Sequence, residues 1–349
     1  MKTSPVCCAA AAVILGAGCA FAQVSGAAPA VPVGFSATVA ADGSGQFTSV
    51  QDAVNAAPQT TSPSSPWVIR VGAGTYHERV YAQREKRFVR LVGEDPSRTT
   101  IAFDLYASMA GPDGKPIGTF HTPTVWIDAD DFAMENLTLA NTAGRKGQAL
   151  ALRVDGDRVT FRNCRFLGWQ DTILVNRGRQ YFSGCAISGA VDFIFGGATA
   201  YFENCEIRCL GDGYITAAST PVAQPYGFVF SNCRILGDPP TARTYLGRPW
   251  RPYASVAFIG TQMTDVVRPA GWHNWNKPDA EKTSRYAEYA SSGAGSVLSA
   301  RVPWATTSAG PAPDGFTPAH VLGGADHWNP KVAAASAAGL PASTEPVQH

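Results

Sequence analysis

Apolar and polar residues alternate in a short segment that occurs four times in this chain of 349 residues. The copies read FRNCRF, FSGCAI, FENCEI and FSNCRI and begin at residues 161, 182, 202 and 230, so the steps between them are 21, 20 and 28 residues. A fainter copy, MENLTL, begins at Met134. Each stretch is too short for a helix and has the alternation of a strand. Periods of this length are typical of solenoids, so the pattern predicts strands that stack in parallel, one from each repeat.

The third position of each copy predicts a corner of the backbone. It holds Asn136, Asn163, Gly184, Asn204 and Asn232. Gly and Asn tolerate a positive φ better than other residues, and stacked asparagines can hydrogen-bond along a column. An all-β fold, a right-handed parallel β-helix, satisfies both observations, with each coil adding a layer about 4.8 Å further along the axis.

The cysteines of the repeat occupy one place in successive copies, at Cys164, Cys185, Cys205 and Cys233. The predicted layer spacing lies within the Cα separation of about 4.4 to 6.8 Å that a disulfide needs. Bridging and apolar burial as free thiols are therefore both open. Cys209 makes the number of cysteines after residue 22 odd, so at least one thiol stays unpaired within a single chain.

An open end of a solenoid needs a cap over its apolar layer. The segment SVQDAVNAAP, residues 49–58, carries apolar residues at helical spacing, with Ser49 or Thr48 as the N-cap and Pro58 after its end. We therefore expect a short N-terminal capping helix.

Residues 1–22 have the three parts of a signal peptide. A charged start is followed by an apolar run and by a small-x-small cleavage site at residues 20–22. We therefore expect the mature chain to begin at Gln23 and to be secreted or extracellular. A periplasmic location or a lipid anchor on Cys19 is less favoured, and for the anchor the reason is that Gly16 rather than Leu lies three residues before that cysteine.

Composition sets the domain limits and excludes some partners. Residues 23–34 and 331–349 are rich in Ala, Pro and Ser, so we expect flexible ends around one β-helix domain at 35–330. The 28 basic residues less Lys2 balance the 27 acidic ones, which leaves no net charge with neutral His. A chain without net charge has no general electrostatic attraction to nucleic acid or to an anionic membrane. No apolar run after residue 22 is long enough to span a bilayer. We expect a monomer.

Two aspartates fall in register within the predicted repeat. Asp171 lies seven residues after Cys164, and Asp192 lies seven residues after Cys185. The repeat thus places their α-carbons about 4.8 Å apart on one face. Two carboxylates at that distance do not both ionise easily, so we expect one pKa to rise and the other to fall, as an acid beside a nucleophile requires. A surface column of aspartates, relieved by calcium or solvent, is the alternative interpretation.

Three further polar residues fit the same site. Gln170 precedes Asp171, and Gln148 lies 22 residues earlier, about one layer away. Two neutral amide donors can stabilise negative charge that develops on a carbonyl oxygen. Arg248, in YLGRPW, can hold Asp192 ionised through two hydrogen bonds. Taken alone, each glutamine could be a solvated residue and the arginine a surface charge.

Aromatic residues are frequent near these segments. Successive strand residues alternate between faces, so several of the rings should point outward. Exposed rings beside a carboxylate pair suggest a platform for sugars, although packing beneath loops is the commoner fate of a tryptophan. The rings are Trp169, Phe193, Phe195, Trp250, Trp272 and Trp275.

Together these residues resemble a known family, the pectin methylesterases or pectinesterases. The likeness covers about residues 36–330 and rests on VAADGSGQFTSVQDAVNAAP, GTYHE, GQALAL, GWQDT, DFIFG and YLGRPW, in this order. The resemblance is to a secreted member of the bacterial type. It implies a right-handed parallel β-helix that removes methyl groups from esterified homogalacturonan, the polymer of pectin, without a metal or organic cofactor.

The resemblance also implies a catalytic role for each polar residue of the site. Asp192 would be the nucleophile, and Asp171 would act as general acid and then as base. Gln148 and Gln170 would stabilise the oxyanion, and Arg248 would orient Asp192.

Further contacts follow from the resemblance alone. Phe195, Trp250 and Trp272 would touch the polymer. Cys185 and Cys205 would form the disulfide.

Three other functions compete with ester hydrolysis. A retaining glycosidase acting on pectic polysaccharide also uses two carboxyl groups about 5 Å apart, but two amide donors favour an acyl oxyanion. A pectate lyase would need clustered carboxylates for calcium, whereas DADD at 128–131 and GDG at 211–213 are typical of solvated turns. A non-catalytic β-helix adhesin or polysaccharide-binding protein would have no reason to gather these five polar residues.

Overall fold

Short strands that pair in parallel, each with the strand one coil earlier, make up most of the chain. The computed structural model describes residues 34–238 and 243–331. The first sheet has eleven strands in the order β1-β2-β5-β8-β11-β14-β16-β18-β21-β23-β24. Their bounds are β1 Ala37–Val39, β2 Trp67–Val71, β5 Val89–Gly93, β8 Ala133–Glu135, β11 Val159–Arg162, β14 Arg179–Ser183, β16 Thr199–Glu203, β18 Phe228–Ser231, β21 Ser255–Ile259, β23 Arg285–Tyr289 and β24 Thr306–Ser308.

The remaining strands form two rows that meet at two long strands. One row is β3 Gly74–His77, β6 Thr99–Phe103, β9 Thr138–Asn141 and β12 Arg165–Leu167. The other, here called the β10 row, is β4 Val80–Ala82, β7 Val125–Ile127, β10 Leu152–Val154 and β13 Ile173–Val175. Both rows pair with β15 Ala186–Gly196, which in turn pairs with β17 Glu206–Ala218. Beyond them lie β19 Arg234–Gly237, β20 Thr244–Gly247 and β22 Gln262–Met263. The predicted parallel β-helix is confirmed.

Few helices accompany the strands in the described part of the chain. They are α1 Val50–Asn55, α2 Pro278–Glu281 and α3 Pro318–Val321, with 3₁₀ turns at Thr119–His121, Gly144–Lys146 and Leu298–Ala300. None of the helices in these residues is long and apolar enough to cross a membrane.

A column of phenylalanines fills the interior behind the first sheet. Phe161, Phe182, Phe202, Phe230 and Phe258 are buried, and successive ring centroids lie 4.5 to 4.6 Å apart. The spacing follows that of the strands, which confirms that the repeated segments are stacked. The sequence pattern does not reveal the last copy, because FIGTQM has Thr where the four repeated segments have Cys.

The predicted corner is also confirmed. The third residues of the five copies all have φ between 48° and 61°. They are here called the asparagine column: Asn136, Asn163, Gly184, Asn204 and Asn232. Asn163 Nδ2 donates to Asn136 Oδ1 at 2.7 Å. Gly184 interrupts the column, since it has no side chain to continue it.

The cysteines of the repeat are buried beside this corner. Cys164, Cys185, Cys205, Cys209 and Cys233 are all free thiols in the structure. The four in the repeat donate to the backbone carbonyl two residues earlier, as Cys185 Sγ does to Ser183 O at 3.5 Å. The Cys185–Cys205 disulfide is therefore not formed in this structure, and that pairing stays a prediction.

The capping helix is confirmed, and a distant glutamate supports it. Ser49 is the N-cap of α1, and its hydroxyl accepts from Asp52 N at 3.2 Å. Glu78, from the GTYHE segment, accepts from the Val50 and Gln51 amides at 2.7 and 2.9 Å. A carboxylate at a helix N-terminus satisfies amides that have no partner within the helix. The GTYHE segment thus has a structural use.

Several sequence predictions fall on residues beyond those described. The signal peptide at 1–22 and its cleavage site, a lipid anchor on Cys19, and the flexible ends apart from Gly34 and Lys331 lie outside the described residues.

Candidate active site

The register of the β10 row brings the two aspartates together. Ile173 pairs with Ile194 across β13 and β15, and each follows its aspartate by two residues. Asp171 and Asp192 therefore stand on neighbouring rungs, about 4.8 Å apart at their backbones. Both have a left-handed backbone, with φ of 61° and 49°. The register of β15 against β17 also shifts on either side of Val191. Such irregularities re-aim side chains and are frequent beside active sites.

Arg248 holds Asp192 as the sequence predicted. Its Nε donates to Oδ1 at 2.9 Å and its Nη2 to Oδ2 at 2.6 Å. Both side chains are largely buried. The guanidinium lies 3.8 Å from the ring centroid of Tyr214 and 3.7 Å from that of Trp275. Two aromatic faces thus fix the plane of the arginine, and the two hydrogen bonds fix the carboxylate.

The two carboxyl groups differ in proton affinity. Burial, followed by the charge of Asp192, raises the pKa of Asp171 to about 8, although the charge of Arg248 lowers it. Burial also raises the pKa of Asp192, while the hydrogen bonds and charge of Arg248 oppose that rise. The expected rise of one pKa is confirmed, but the expected fall of the other is wrong, because burial outweighs the arginine. At neutral pH Asp171 holds the proton, and the arginine favours the ionised form of Asp192.

The two glutamines stand beside the aspartates in the same register. Backbone pairings join Gln148 to Gln170 and Gln170 to Val191. Both side chains are half-buried. Neither side-chain amide group makes a hydrogen bond to another described residue. Each can therefore donate to a bound molecule. The structure thus brings together all five of the polar site residues that the sequence predicted.

The aromatic residues differ in their access to a polymer. Trp250 is half-buried and meets Phe195 edge to face at 5.7 Å. Phe195 itself is buried in a small apolar cluster with Leu150, Leu174 and Ala217. Trp250 therefore has the exposed surface, and Phe195 supports it from below.

The prediction that Trp272 contacts the polymer is wrong. Its side chain is 1% exposed and belongs to the core. The ring stacks on Tyr286 at 4.3 Å, and Nε1 donates to Glu288 at 3.2 Å. Trp272 lies in an irregular segment between β22 and α2, with only an isolated backbone bridge to Gly247, so strand alternation does not fix the side that it faces.

Sequence reasoning missed the two rings that hold the arginine. Trp275 was recognised only as one of many nearby aromatic residues. Tyr214 follows GDG, which the sequence presented as a solvated turn, but residues 211–213 are part of β17. No local signal marks Tyr214, because its contact with Arg248 joins separate coils.

The comparisons agree on one family. The family model described as Pectinesterase matches residues 36–324. Pectinesterase 31 of Arabidopsis thaliana is 41% identical over 272 residues, which cover 76% of this chain and 85% of that protein. The chain spans about half the length of several other curated relatives, 46 to 50%, whose names include pectinesterase.

Solved structures are similar over most of the chain. Pectin methylesterase from carrot has a TM-score of 0.79 and 35% identity, and the match covers 90% of this chain and 99% of that one. A pectin methylesterase in complex with a hexasaccharide has a TM-score of 0.72 and 30% identity, with 85% and 98% covered. The relative from Arabidopsis and the carrot enzyme are plant proteins, whereas the sequence suggested a bacterial type.

Proposed function

The chain belongs to the pectinesterase family, and from this premise we propose that it hydrolyses the methyl esters of homogalacturonan with Asp192 as its nucleophile. One observation carries the proposal: a carboxylate clamped by Arg248 lies one rung from Asp171, whose pKa is raised to about 8. A nucleophile must be ionised and a general acid must be protonated at the same pH. The raised pKa of Asp171 favours its protonated form, and Arg248 favours the ionised form of Asp192, which supports these two roles.

The first half of the reaction forms a covalent intermediate. A carboxylate oxygen of Asp192 attacks the ester carbonyl carbon at C6 of a galacturonate unit. The carbonyl oxygen becomes an oxyanion, which accepts hydrogen bonds from the side-chain amides of Gln148 and Gln170. When the carbonyl reforms, the bond to methoxide breaks and Asp171 gives its proton to the leaving oxygen. The products are methanol and an anhydride between Asp192 and the sugar.

The second half regenerates the enzyme. Asp171, now ionised, takes a proton from water, and the hydroxide attacks the C6 carbonyl of the anhydride. The bond to the Asp192 oxygen breaks, which leaves a galacturonate carboxyl group and a free Asp192 carboxylate. Asp171 is again protonated, so protons and charges balance over the cycle.

Product analysis tests the proposal against its rivals. On methylated homogalacturonan we expect one methanol for each carboxyl group formed, with no new reducing ends. New reducing ends without methanol would indicate a glycosidase, and an absorbing unsaturated product would indicate a lyase. Binding of the polymer without any product would leave a polysaccharide-binding protein, and each of these three results would overturn the esterase proposal.

The polymer contacts are part of the same proposal. We assign the exposed surface of Trp250 to one sugar ring, with Phe195 packed behind it. Replacing Trp250 by Ala should raise KM more than it lowers kcat, because the ring touches sugar rather than the reacting carbonyl. A fall in kcat alone would contradict this assignment.

Export and thiol pairing complete the proposal. We propose that the chain is exported, loses residues 1–22 and acts as a monomer outside the cell, with Cys185 and Cys205 paired under oxidising conditions. The N-terminal sequence of the secreted protein, its mass in solution and thiol labelling with and without reductant test these points. An N-terminus at Met1, a dimer, or equal labelling in both states would each contradict one of them.

A further inference from the structure

A histidine outside the five polar site residues contacts both aromatic residues of the arginine clamp. The clamp includes Trp275, whose ring centroid lies 3.7 Å from the guanidinium of Arg248. His273 lies two residues before Trp275, and its Nδ1 accepts a hydrogen bond from the Trp275 amide at 2.9 Å. We propose that His273 is a positioning residue of the active site. Its neutral imidazole holds Trp275 against Arg248, and protonation of the imidazole releases the ring and lowers turnover. This inference rests on the proposed function.

The backbone around Trp275 explains why this hydrogen bond matters. Trp275 and Asn276 have φ of 59° and 55°. A left-handed conformation is tolerated by asparagine but is unfavourable for tryptophan, whose Cβ crowds the following carbonyl. Two side-chain acceptors offset this cost: His273 Nδ1 binds the Trp275 amide, and Asn274 Oδ1 binds the Asn276 amide at 2.9 Å. Glu281 fixes the second acceptor, because it accepts from Asn274 Nδ2 at 2.7 Å. The position of the Trp275 ring therefore depends on these two acceptors.

The imidazole also packs against the other ring of the clamp. Its centroid lies 5.6 Å from that of Tyr214 and 5.3 Å from that of Tyr245, and the two tyrosines stack at 5.4 Å. Tyr214 is the second ring over Arg248, at 3.8 Å. The His273 amide donates to the carbonyl of Gly247, which precedes Arg248 in the chain, at 3.1 Å. His273 thus joins the two aromatic faces of the clamp, one through its ring and the other through Nδ1.

Protonation of the imidazole removes the acceptor. Because Nδ1 accepts from the Trp275 amide, the proton of the neutral ring lies on Nε2. An imidazolium donates from both nitrogens, so its Nδ1 proton faces the amide proton of Trp275. The hydrogen bond is then lost, and the left-handed backbone keeps only one of its two supports. Trp275 can then move away from Arg248, which leaves the guanidinium against Tyr214 alone.

The surroundings of His273 favour its neutral form. Burial, followed by the charge of Arg248, lowers the pKa of His273 from its ordinary value of 6.5. In the described part of the chain its ring makes no hydrogen bond to a carboxylate. Besides the two tyrosines, the charged side chains on the elements around it are Arg248, Arg268, Lys277, Asp192 and Glu281. The two carboxylates are bound by Arg248 and Asn274, so no free anion retains a proton on the ring. His273 is therefore neutral at pH 7 and takes a proton in more acidic solution.

Turnover across a range of pH tests the inference. His273→Asn keeps an acceptor two residues before the amide, as Asn274 does for Asn276, but it cannot be protonated. The substrate is fully methylated hexagalacturonate, whose charge does not change with pH. The variant should retain most of the wild-type kcat near pH 7.5. As the pH falls below about 6.5, the ratio of variant to wild-type kcat should rise about tenfold. The requirement for an ionised Asp192 is common to both proteins and cancels in this ratio.

The titration of His273, followed by NMR, should have the same midpoint as the rise of the ratio. His327→Asn changes an exposed histidine of the C-terminal segment and is the matched control, for which the ratio should stay constant. A constant ratio for His273→Asn, or an imidazole that stays neutral until the protein unfolds in acid, would overturn the inference. A falling ratio would also overturn it, because the charge of His273 would then assist Asp192 rather than release Trp275.

A second variant shows whether His273 acts through the clamp. His273→Phe keeps an aromatic ring beside Tyr214 but has no acceptor, so kcat near pH 7.5 should fall about tenfold. In an Arg248→Lys background the same change should have little further effect, because no forked bond remains to be aligned. An equal loss in both backgrounds would overturn the positioning role. If His273→Phe does not fold, the pH dependence of His273→Asn still decides the inference.

The two proposals fail in different ways. If the wild-type enzyme releases no methanol from the fully methylated hexamer, the proposed function is wrong. If it releases methanol but wild type and His273→Asn lose kcat in parallel as the pH falls, only the inference about His273 is wrong.

Discussion

The asparagine column and the aspartate pair lie at two different corners of the coil that have the same left-handed backbone conformation. Asn136 and Asn163 have φ of 56° and 48°, and Asp171 and Asp192 have φ of 61° and 49°. In both places side chains of equal length stand one rung apart in a parallel stack. Amides both donate and accept, so Asn163 bonds directly to Asn136. Two carboxylates can only accept, so they repel each other unless one takes a proton or a cation intervenes.

Burial separates the two corners further. Asn163, Asn204 and Asn232 are exposed, whereas Asp192 is buried. Water can hydrogen-bond to the exposed amides, but it has little access to the carboxylate of Asp192. The aspartate pair therefore depends on Arg248 and on a retained proton. The asparagine column contributes to stability. The aspartate pair has the unequal proton affinities that ester hydrolysis requires.

Replacing the proposed nucleophile by asparagine, the residue of the asparagine column, should have the largest effect on activity. Asp192→Asn keeps the shape and the tolerance of a left-handed backbone, so the protein should fold. It removes the attacking oxygen anion, and kcat for methanol release should fall about 10⁴-fold or more. Asn163→Asp, the reverse exchange in the exposed corner, should keep wild-type turnover. Activity of Asp192→Asn within a factor of ten of wild type would exclude Asp192 as nucleophile.

Weakening the clamp should have a smaller effect. Arg248→Lys keeps a positive charge but loses the two-pronged bond and the flat stacking between Tyr214 and Trp275. We expect kcat to fall about 10²- to 10³-fold, because Asp192 is no longer held ionised and aligned. Steady-state methanol release measures this, with Arg70→Lys as the control. Near-normal kcat would show that the forked geometry is not needed.

The retained proton predicts a pH-dependent stability difference. The pKa of Asp171 in the folded protein, about 8, lies above its unfolded value, so its contribution to stability is full below about pH 4 and is lost as the pH rises to 8. Asn cannot ionise. Asp171→Asn should therefore match wild type near pH 4 and exceed it by about 1 to 3 kcal/mol at pH 8.

Urea unfolding at the two pH values measures that difference. Asp279→Asn changes a fully exposed carboxyl, so its effect should not vary in the same way. A difference for Asp171→Asn that is equal at both pH values would mean that the carboxyl has an ordinary pKa in the folded protein.

Changes in the asparagine column should have the smallest effect. Asn163→Gly loses the bond to Asn136 but fits the corner, so about 0.5 to 1.5 kcal/mol should be lost. Asn163→Ala also strains the left-handed backbone and should cost about 1 kcal/mol more. Thermal unfolding of the two variants gives the order, and turnover of methyl esters should be unaffected. Equal stability of Gly and Ala would show that the corner has no left-handed requirement.

Repetition explains why much of the fold was predictable. The phenylalanine column, the left-handed asparagines and the register of Asp171 with Asp192 all follow from counting residues between copies. Where repetition stops, the predictions fail. Trp272 lies in an irregular segment and is buried, and Tyr214 and Trp275 reach Arg248 from other parts of the chain.

The sequence by itself determined which side chains stand on neighbouring rungs, because parallel strands stack with a fixed spacing and any count that repeats along the chain repeats in space. Only the tertiary structure decided what surrounds those side chains. Arg248 reaches Asp192 across 56 residues, and burial raises the pKa of Asp171 to about 8. The charge and the exposure of each side chain depend on atoms from distant coils and from the segments that cover those coils. No local sequence pattern indicates which of these atoms will be nearby.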